Sequence, residues 1–189
     1  YQLHGGTIED PIDETIEAFE ELKEEGVIPY YGISSIRPNV IREYIKRSNI
    51  VSVMMQYSLL DRRPEEEMLD LLHENNISVI ARGPMAKGML TANGLVQVEK
   101  KGHNGYLDYS YEELKNVVSK FLEITGKRNP NAFALGYVFR HPAIATAVFG
   151  ASSVEQMEEN LTYRSFSLDE EIYEQFKAIS KRNVYSQHR

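Results

Sequence analysis

Short apolar runs alternate along this chain with longer stretches of helical period, and the alternation places most of its elements. The opening residues, Tyr1 to His4, read as a strand that has reached its polar end by His4. Residues 13–25 carry Ile16, Phe19 and Leu22 on one stripe among carboxylates and stop at Gly26, which predicts a helix. Residues 30–34 predict a strand. Pro38 opens a helix to about Ser48, because proline suits a first helical turn. A strand over 51–55, a helix over 64–75 with Met68, Leu71 and Leu72 inward, and a strand over 77–81 follow.

The period then breaks. Residues 83–110 form a long segment containing Gly83, Gly88, Gly94, Gly102 and Gly105, and are expected to be a loop of the kind that serves as a lid or binding element. Helices resume over 111–125 and 131–140, a last strand spans 143–149, and short helices cover 153–161 and 168–180. Strand and helix in strict succession, joined by short connections, imply parallel strands. The strands are apolar along their length, as expected where both faces are covered. The reading is a single α/β domain over 1–189 with five parallel strands, no internal repeat and no linker.

Each strand ends in a polar or glycine cluster: His4-Gly5-Gly6, Ser34-Ser35, Gln56-Tyr57, Arg82-Gly83 and Gly150-Ala151-Ser152. In a β/α barrel, chemistry gathers where strands run out into loops at the C-terminal face. A complete eight-stranded barrel typically needs about 250 residues, whereas this chain has 189 and begins directly on a strand. The expectation is therefore either a smaller fold or the later part of a longer protein.

Composition narrows the partners. A net charge of −7 disfavours nucleic acid or an anionic membrane as a general partner, since phosphate contacts need clustered cations. No cysteine is present, which excludes disulfides and thiolate catalysis. No apolar run approaches the ~18 residues of a membrane span. The opening Tyr1-Gln2-Leu3-His4 carries neither an initiator methionine nor a signal-like stretch, so the cytoplasm is the expected compartment.

The candidate groups each have two readings. His4, followed by two glycines that permit close approach, is either a histidine hydrogen-bonded into its loop or a carbonyl-polarising group at the barrel mouth. Gln56 either caps strand-end backbone or offers donor and acceptor to a flat amide. Ser34 and Ser35 either begin the next helix or face a ligand. Gly150-Ala151-Ser152-Ser153 joins the last strand to a short helix, and is either a serine cap or an anion site at a positive helix end. Arg82 and Lys87 either lie on a solvated face or add positive charge for a diphosphate. His73, His103, His141 and His188 carry no expected role, and no spacing suggests a metal.

Taken together, Tyr31-Gly32-Ile33-Ser34, Gln56-Tyr57-Ser58-Leu59-Leu60-Asp61-Arg62, Gly83-Pro84-Met85-Ala86-Lys87-Gly88-Met89-Leu90-Thr91 and Gly150-Ala151-Ser152-Ser153-Val154-Glu155-Gln156, continuing to Glu159-Asn160-Leu161, resemble the aldo-keto reductases, and a bacterial branch of them in particular. The resemblance runs in order over essentially the whole chain. It implies a TIM (β/α)8 barrel of which this chain is the C-terminal part, strands four to eight. It implies NADPH, with NADH not excluded, and a small-molecule carbonyl substrate reduced by hydride transfer.

Carried over by residue, the resemblance makes His4 the active-site histidine and sets Ser34, Ser35 and Gln56 against the nicotinamide carboxamide. Arg82 stands where many relatives have an aromatic residue stacked on nicotinamide. The loop with Gly83, Pro84, Met85, Lys87, Gly88 and Leu90 would wrap the pyrophosphate. Gly150, Ala151, Ser152, Gln156, Glu159 and Asn160 would surround the adenosine end. Ser35 replaces a common asparagine, and Ser152 and Ser153 lie where relatives often place a cation on the 2′-phosphate. The tyrosine, lysine and aspartate that serve proton delivery in the family belong to earlier strands. The chain alone is therefore expected not to turn over, and its two unpaired sheet edges to invite self-association. An alternative with the same fold is a nucleotide-binding regulatory subunit; an unrelated barrel with a phosphate site would leave Gln56 and the 83–91 segment unexplained.

Overall fold

The computed structural model describes all 189 residues, Tyr1–Arg189. Five strands form one parallel sheet in chain order: β1 (Gln2–His4), β2 (Gly32–Ser34), β3 (Ser52–Gln56), β4 (Ser78–Arg82) and β5 (Ile144–Val148). Sequential parallel neighbours, each joined through helix, are the winding of a β/α barrel, here five strands of one. β1 and β5 are the edges, each paired on one side only.

The helices form because their apolar residues fall on one face. α1 (Ile12–Glu24) buries Ile12, Ile16 and Phe19, carries Asp13 and Glu14 in its first turn, and ends before Gly26 at φ +73°. α2 (Pro38–Arg47) starts on proline, buries Val40, Ile41 and Tyr44, and closes on Lys46 and Arg47. α3 (Met68–Glu74) is short. α5 (Tyr111–Thr125) begins with a reciprocal cap between Ser110 and Glu113. α6 (Pro130–Val138) is buried on nearly every side, so its apolar character runs all round. α7 (Val154–Leu161) and α8 (Glu170–Ile179) complete the chain, capped by Ser153 and Asp169.

Three expectations are corrected. The helix predicted over 64–75 is divided: a 3₁₀ turn at Arg63–Glu66 precedes α3, because the backbone at Glu67 leaves the helical region (φ −158°, ψ −38°). The segment 83–110 is not one loop, since it contains a tight turn at Ala86–Gly88 and α4 (Gly94–Lys101). The strands are not covered equally on both faces. Ile33, Val53, Met55, Val79 and Ala81 are buried against helices, whereas the alternate positions stand on the concave face and are more polar.

Register stacks those concave positions in layers. Gln2, Gly32, Ser52 and Ser78 are level with one another, as are His4, Ser34, Met54 and Ile80, and then Gln56 and Arg82. The lowest layer is tight at Gly32, where a Cβ would stand 2.4 Å from the Ser52 carbonyl oxygen. The upper layers bring His4, Ser34, Gln56 and Arg82 to the C-terminal rim, where barrel chemistry resides.

Candidate functional site

A groove of about 610 Å³ opens at this rim, between the segment after β4 and the segment after β5. One wall is Gly83, Pro84, Met85, Lys87 and Gly88; the other is Gly150, Ser152, Gln156, Glu159 and Asn160. Ten residues that sequence reasoning marked separately thus line one cleft.

The first wall is an unusual turn. Gly83 (φ +69°), Ala86 (+46°), Lys87 (+59°) and Gly88 (+90°) are all left-handed, and two of them are not glycine. Such conformations persist only where surroundings fix them, and they concentrate at ligand-holding sites. Here the turn is tied by Ala86 N–H to the Gly83 carbonyl (2.9 Å), Gly88 N–H to that of Met85 (2.9 Å), and Lys101 Nζ to that of Lys87 (3.0 Å). The N–H groups of Gly83, Met85 and Lys87 are left without protein acceptors. Three free amides at alternate positions of this turn, with Lys87 and Lys101 beside them, can receive an anion.

The second wall is held internally. Ser153 caps α7 by accepting from Gln156 N–H at 3.3 Å. Gln156 Oε1 accepts from Ser152 N–H (2.9 Å) and Ser152 Oγ–H (3.0 Å), which leaves the Gln156 amide donor for the groove. Asn160, only 4% exposed, accepts from Asn131 Nδ2 at 2.8 Å. Its own Nδ2 has no protein partner, so an aligned donor and a neighbouring asparagine carbonyl face the cleft.

Seven sequence candidates, His4, Ser34, Ser35, Gln56, Arg82, Leu90 and Ala151, lie outside this lining. Ser35 is buried, with its hydroxyl accepting from Arg37 N–H at 3.1 Å in the turn that leads into α2. Leu90 is fully buried in the core and supports the turn from behind. Ala151 is exposed beside the groove and outside its lining. Arg82 is not a groove cation, because its Nη1 donates to Gln56 Oε1 at 3.0 Å across the β3–β4 pair. Lys101, at the end of α4, is the second cation in its stead.

His4 is exposed at the end of β1, level with Ser34. Its loop is pinned by Gly5 N–H to the Ser34 carbonyl (2.8 Å), and a Cβ at Gly5 would lie 2.5 Å from that oxygen. Glycine is therefore required for β1 and β2 to leave the sheet side by side.

Sequence reasoning missed Thr91, Asn93, Gln97, Lys101 and Asn131 in the lining. Gln97 and Lys101 lie one turn apart on α4, a periodicity concealed among the glycines. Asn131 follows Pro130 in the first turn of α6, a position more simply read as a cap. Gln97 Oε1 is buried without a partner, an acceptor available to a hydroxyl in the cleft.

A C-terminal-face groove with free amides, two lysines and paired asparagines has the chemistry to receive a phosphorylated small molecule at the rim of a β/α barrel. Residues 1–181 match the aldo/keto reductase family, and the chain belongs to it. It is 56% identical over its whole length to YqkF of Bacillus subtilis, an uncharacterized oxidoreductase, and covers 62% of that protein. The holo form of aldo-keto reductase AKR11C1 from Bacillus halodurans superposes with a TM-score of 0.89 at 52% identity, over all of this chain and 60% of that one. An NADH-specific methylglyoxal reductase of Escherichia coli is 26% identical over 85% of this chain and 51% of its own length. The chain thus spans less than two thirds of the length of these relatives. No helix is long and apolar enough to cross a membrane.

Proposed function

We propose that this chain is the cofactor-binding part of an NADPH-dependent reductase of aldehydes or ketones. The observation that carries the reading is the groove, where a left-handed turn with three free N–H groups and two lysines faces an asparagine pair. The turn with Lys87 and Lys101 holds the pyrophosphate. Ser152, Gln156, Glu159 and Asn160 surround the adenosine, and Ser34 and Gln56 orient the carboxamide. His4 donates a hydrogen bond to the substrate carbonyl and fixes it for attack. When bound, the nicotinamide supplies the hydride. The reading places the work in the cytoplasm, where reduced nicotinamide cofactor is regenerated.

Ser152 and Gln156 meet the 2′-phosphate with a hydroxyl and an amide, and neither carries charge. NADPH preference in this groove is therefore modest, and NADH enters it as well. Proton delivery by tyrosine, supported by lysine and aspartate, is outside what these residues provide.

Calorimetry of the 189-residue chain is expected to show NADPH binding without aldehyde-dependent NADPH oxidation. Absence of binding would remove the cofactor assignment; turnover would mean that a general acid resides within the chain. Light scattering after size exclusion is expected to give a mass above the 21.7 kDa of one chain, through the free edges β1 and β5. A monomer at micromolar concentration would show those edges to be harmless.

A further inference from the structure

Gln56 ends β3 behind Gly83, a groove-lining residue whose Cβ position lies 3.9 Å from Gln56 Cγ. Its amide is held on three sides. Nε2 donates to Asp61 Oδ2 at 2.8 Å and to the Tyr106 hydroxyl at 3.0 Å, while Oε1 accepts from Arg82 Nη1 at 3.0 Å. The orientation is fixed by chemistry, because an ionised carboxylate only accepts and a guanidinium only donates. A flipped amide would set nitrogen against guanidinium and oxygen against carboxylate.

Asp61 is itself immobile. It is fully buried and takes a two-pronged bond from Arg63, Nε to Oδ1 at 2.7 Å and Nη2 to Oδ2 at 2.7 Å. Arg63 in turn lies over the Tyr185 ring, 5.1 Å from its centroid. Tyr106 comes from the segment between α4 and α5, and Lys87 Nζ lies 5.3 Å from the centroid of its ring. The two partners of Nε2 therefore come from different segments, the loop after β3 and the connection between α4 and α5.

With both Nε2 hydrogens engaged, the remaining capacity of Gln56 is one lone pair on Oε1. We propose that Asp61 and Tyr106 are positioning residues that make Gln56 an acceptor only, so that it recognises the amino group of the nicotinamide carboxamide and not its carbonyl. The inference rests on the cofactor reading above and assigns its polarity to residues outside the groove lining.

The test is a binding cycle on the 189-residue chain with three probes: NADPH, 2′-phospho-ADP-ribose, which lacks the nicotinamide, and the 3-acetylpyridine analogue of NADPH, which lacks the carboxamide N–H. Tyr106→Phe is expected to weaken NADPH about tenfold, the order of one oriented hydrogen bond to a polar ligand group, and to leave 2′-phospho-ADP-ribose unchanged. The acetylpyridine analogue is expected to bind wild type about tenfold more weakly than NADPH, with no further loss in Tyr106→Phe. Equal losses for NADPH and 2′-phospho-ADP-ribose would make Tyr106 a loop-packing residue and overturn the proposal, as would additive losses for the analogue. Failure of wild type to bind any of the three would overturn the cofactor reading itself.

Discussion

Replacing Arg62 with methionine is expected to lower stability by about 3–5 kcal/mol, because it strands a buried carboxylate. The Arg62 and Glu65 side chains are 5% and 15% exposed, with Nε and Nη2 of Arg62 at 2.9 and 2.8 Å from Glu65 Oε2. The other carboxylate oxygen accepts from the hydroxyls of Tyr57 (3.1 Å) and Tyr137 (2.5 Å). Burial foremost, and then neighbouring negative charge, pushes both hydroxyls far above the usual tyrosine range, so they stay protonated donors. Arg62 Nη1 also reaches the Lys177 carbonyl (3.1 Å) and Ser180 Oγ (3.2 Å), which ties the end of α8 to the loop after β3.

Methionine fills the space but leaves Glu65 with two hydroxyls and no cation. For a domain of this size the loss corresponds to a fall in Tm on the order of 10 °C. Urea unfolding measures it directly. Arg62→Lys, which keeps charge without the planar fork, is expected to fall between. Adding Glu65→Gln to Arg62→Met is expected to restore more than half of the loss, since the isolated charge is then gone. A single-variant loss under 1 kcal/mol, or no recovery in the double, would mean that water reaches the cluster and the charges were never buried as a pair.

That cluster also marks what was legible in the sequence. The order of elements followed from periodicity, because Ile12, Ile16 and Phe19, or Leu114, Val117 and Phe121, repeat at helical spacing regardless of what they pack against. α4 did not, since Gly94 and Gly102 bracket a helix too short for its stripe to show. The concave layers were hidden for a different reason. Gly32, Ser52 and Ser78 are too small to read as a polar face, and their level arrangement comes from register, which no single strand contains.

At the rim, residues that share a wall by virtue of lying in one turn, such as Gly83, Lys87 and Gly88, could be marked from the chain. The partner of Arg82 could not be read from the chain, because strand pairing, not sequence proximity to Lys87, sets it against Gln56. Asp61 and Tyr106 were invisible as a pair: they meet at Gln56 from 5 and 50 residues away.

The same turn carries the largest expected effect on binding. In the chain with Lys87→Gln and Lys101→Gln, NADPH affinity is expected to fall about 100-fold or more, as each charged hydrogen bond to phosphate contributes about 1.5–3 kcal/mol. The two lysines act differently. Lys87 brings charge to a turn that already offers three free amides, whereas Lys101 both adds charge and holds the left-handed Lys87 backbone through its carbonyl. Lys101→Gln alone should thus cost more than charge removal predicts, and Lys101→Met, which has no donor, more again. Calorimetry at rising salt separates the two effects, because a through-space charge is screened whereas a tether on the backbone is not. The salt dependence of affinity should flatten in Lys87→Gln and flatten further in the double variant. If the double variant binds within threefold of wild type, the phosphates do not lie on this turn, and the three free amides have another occupant.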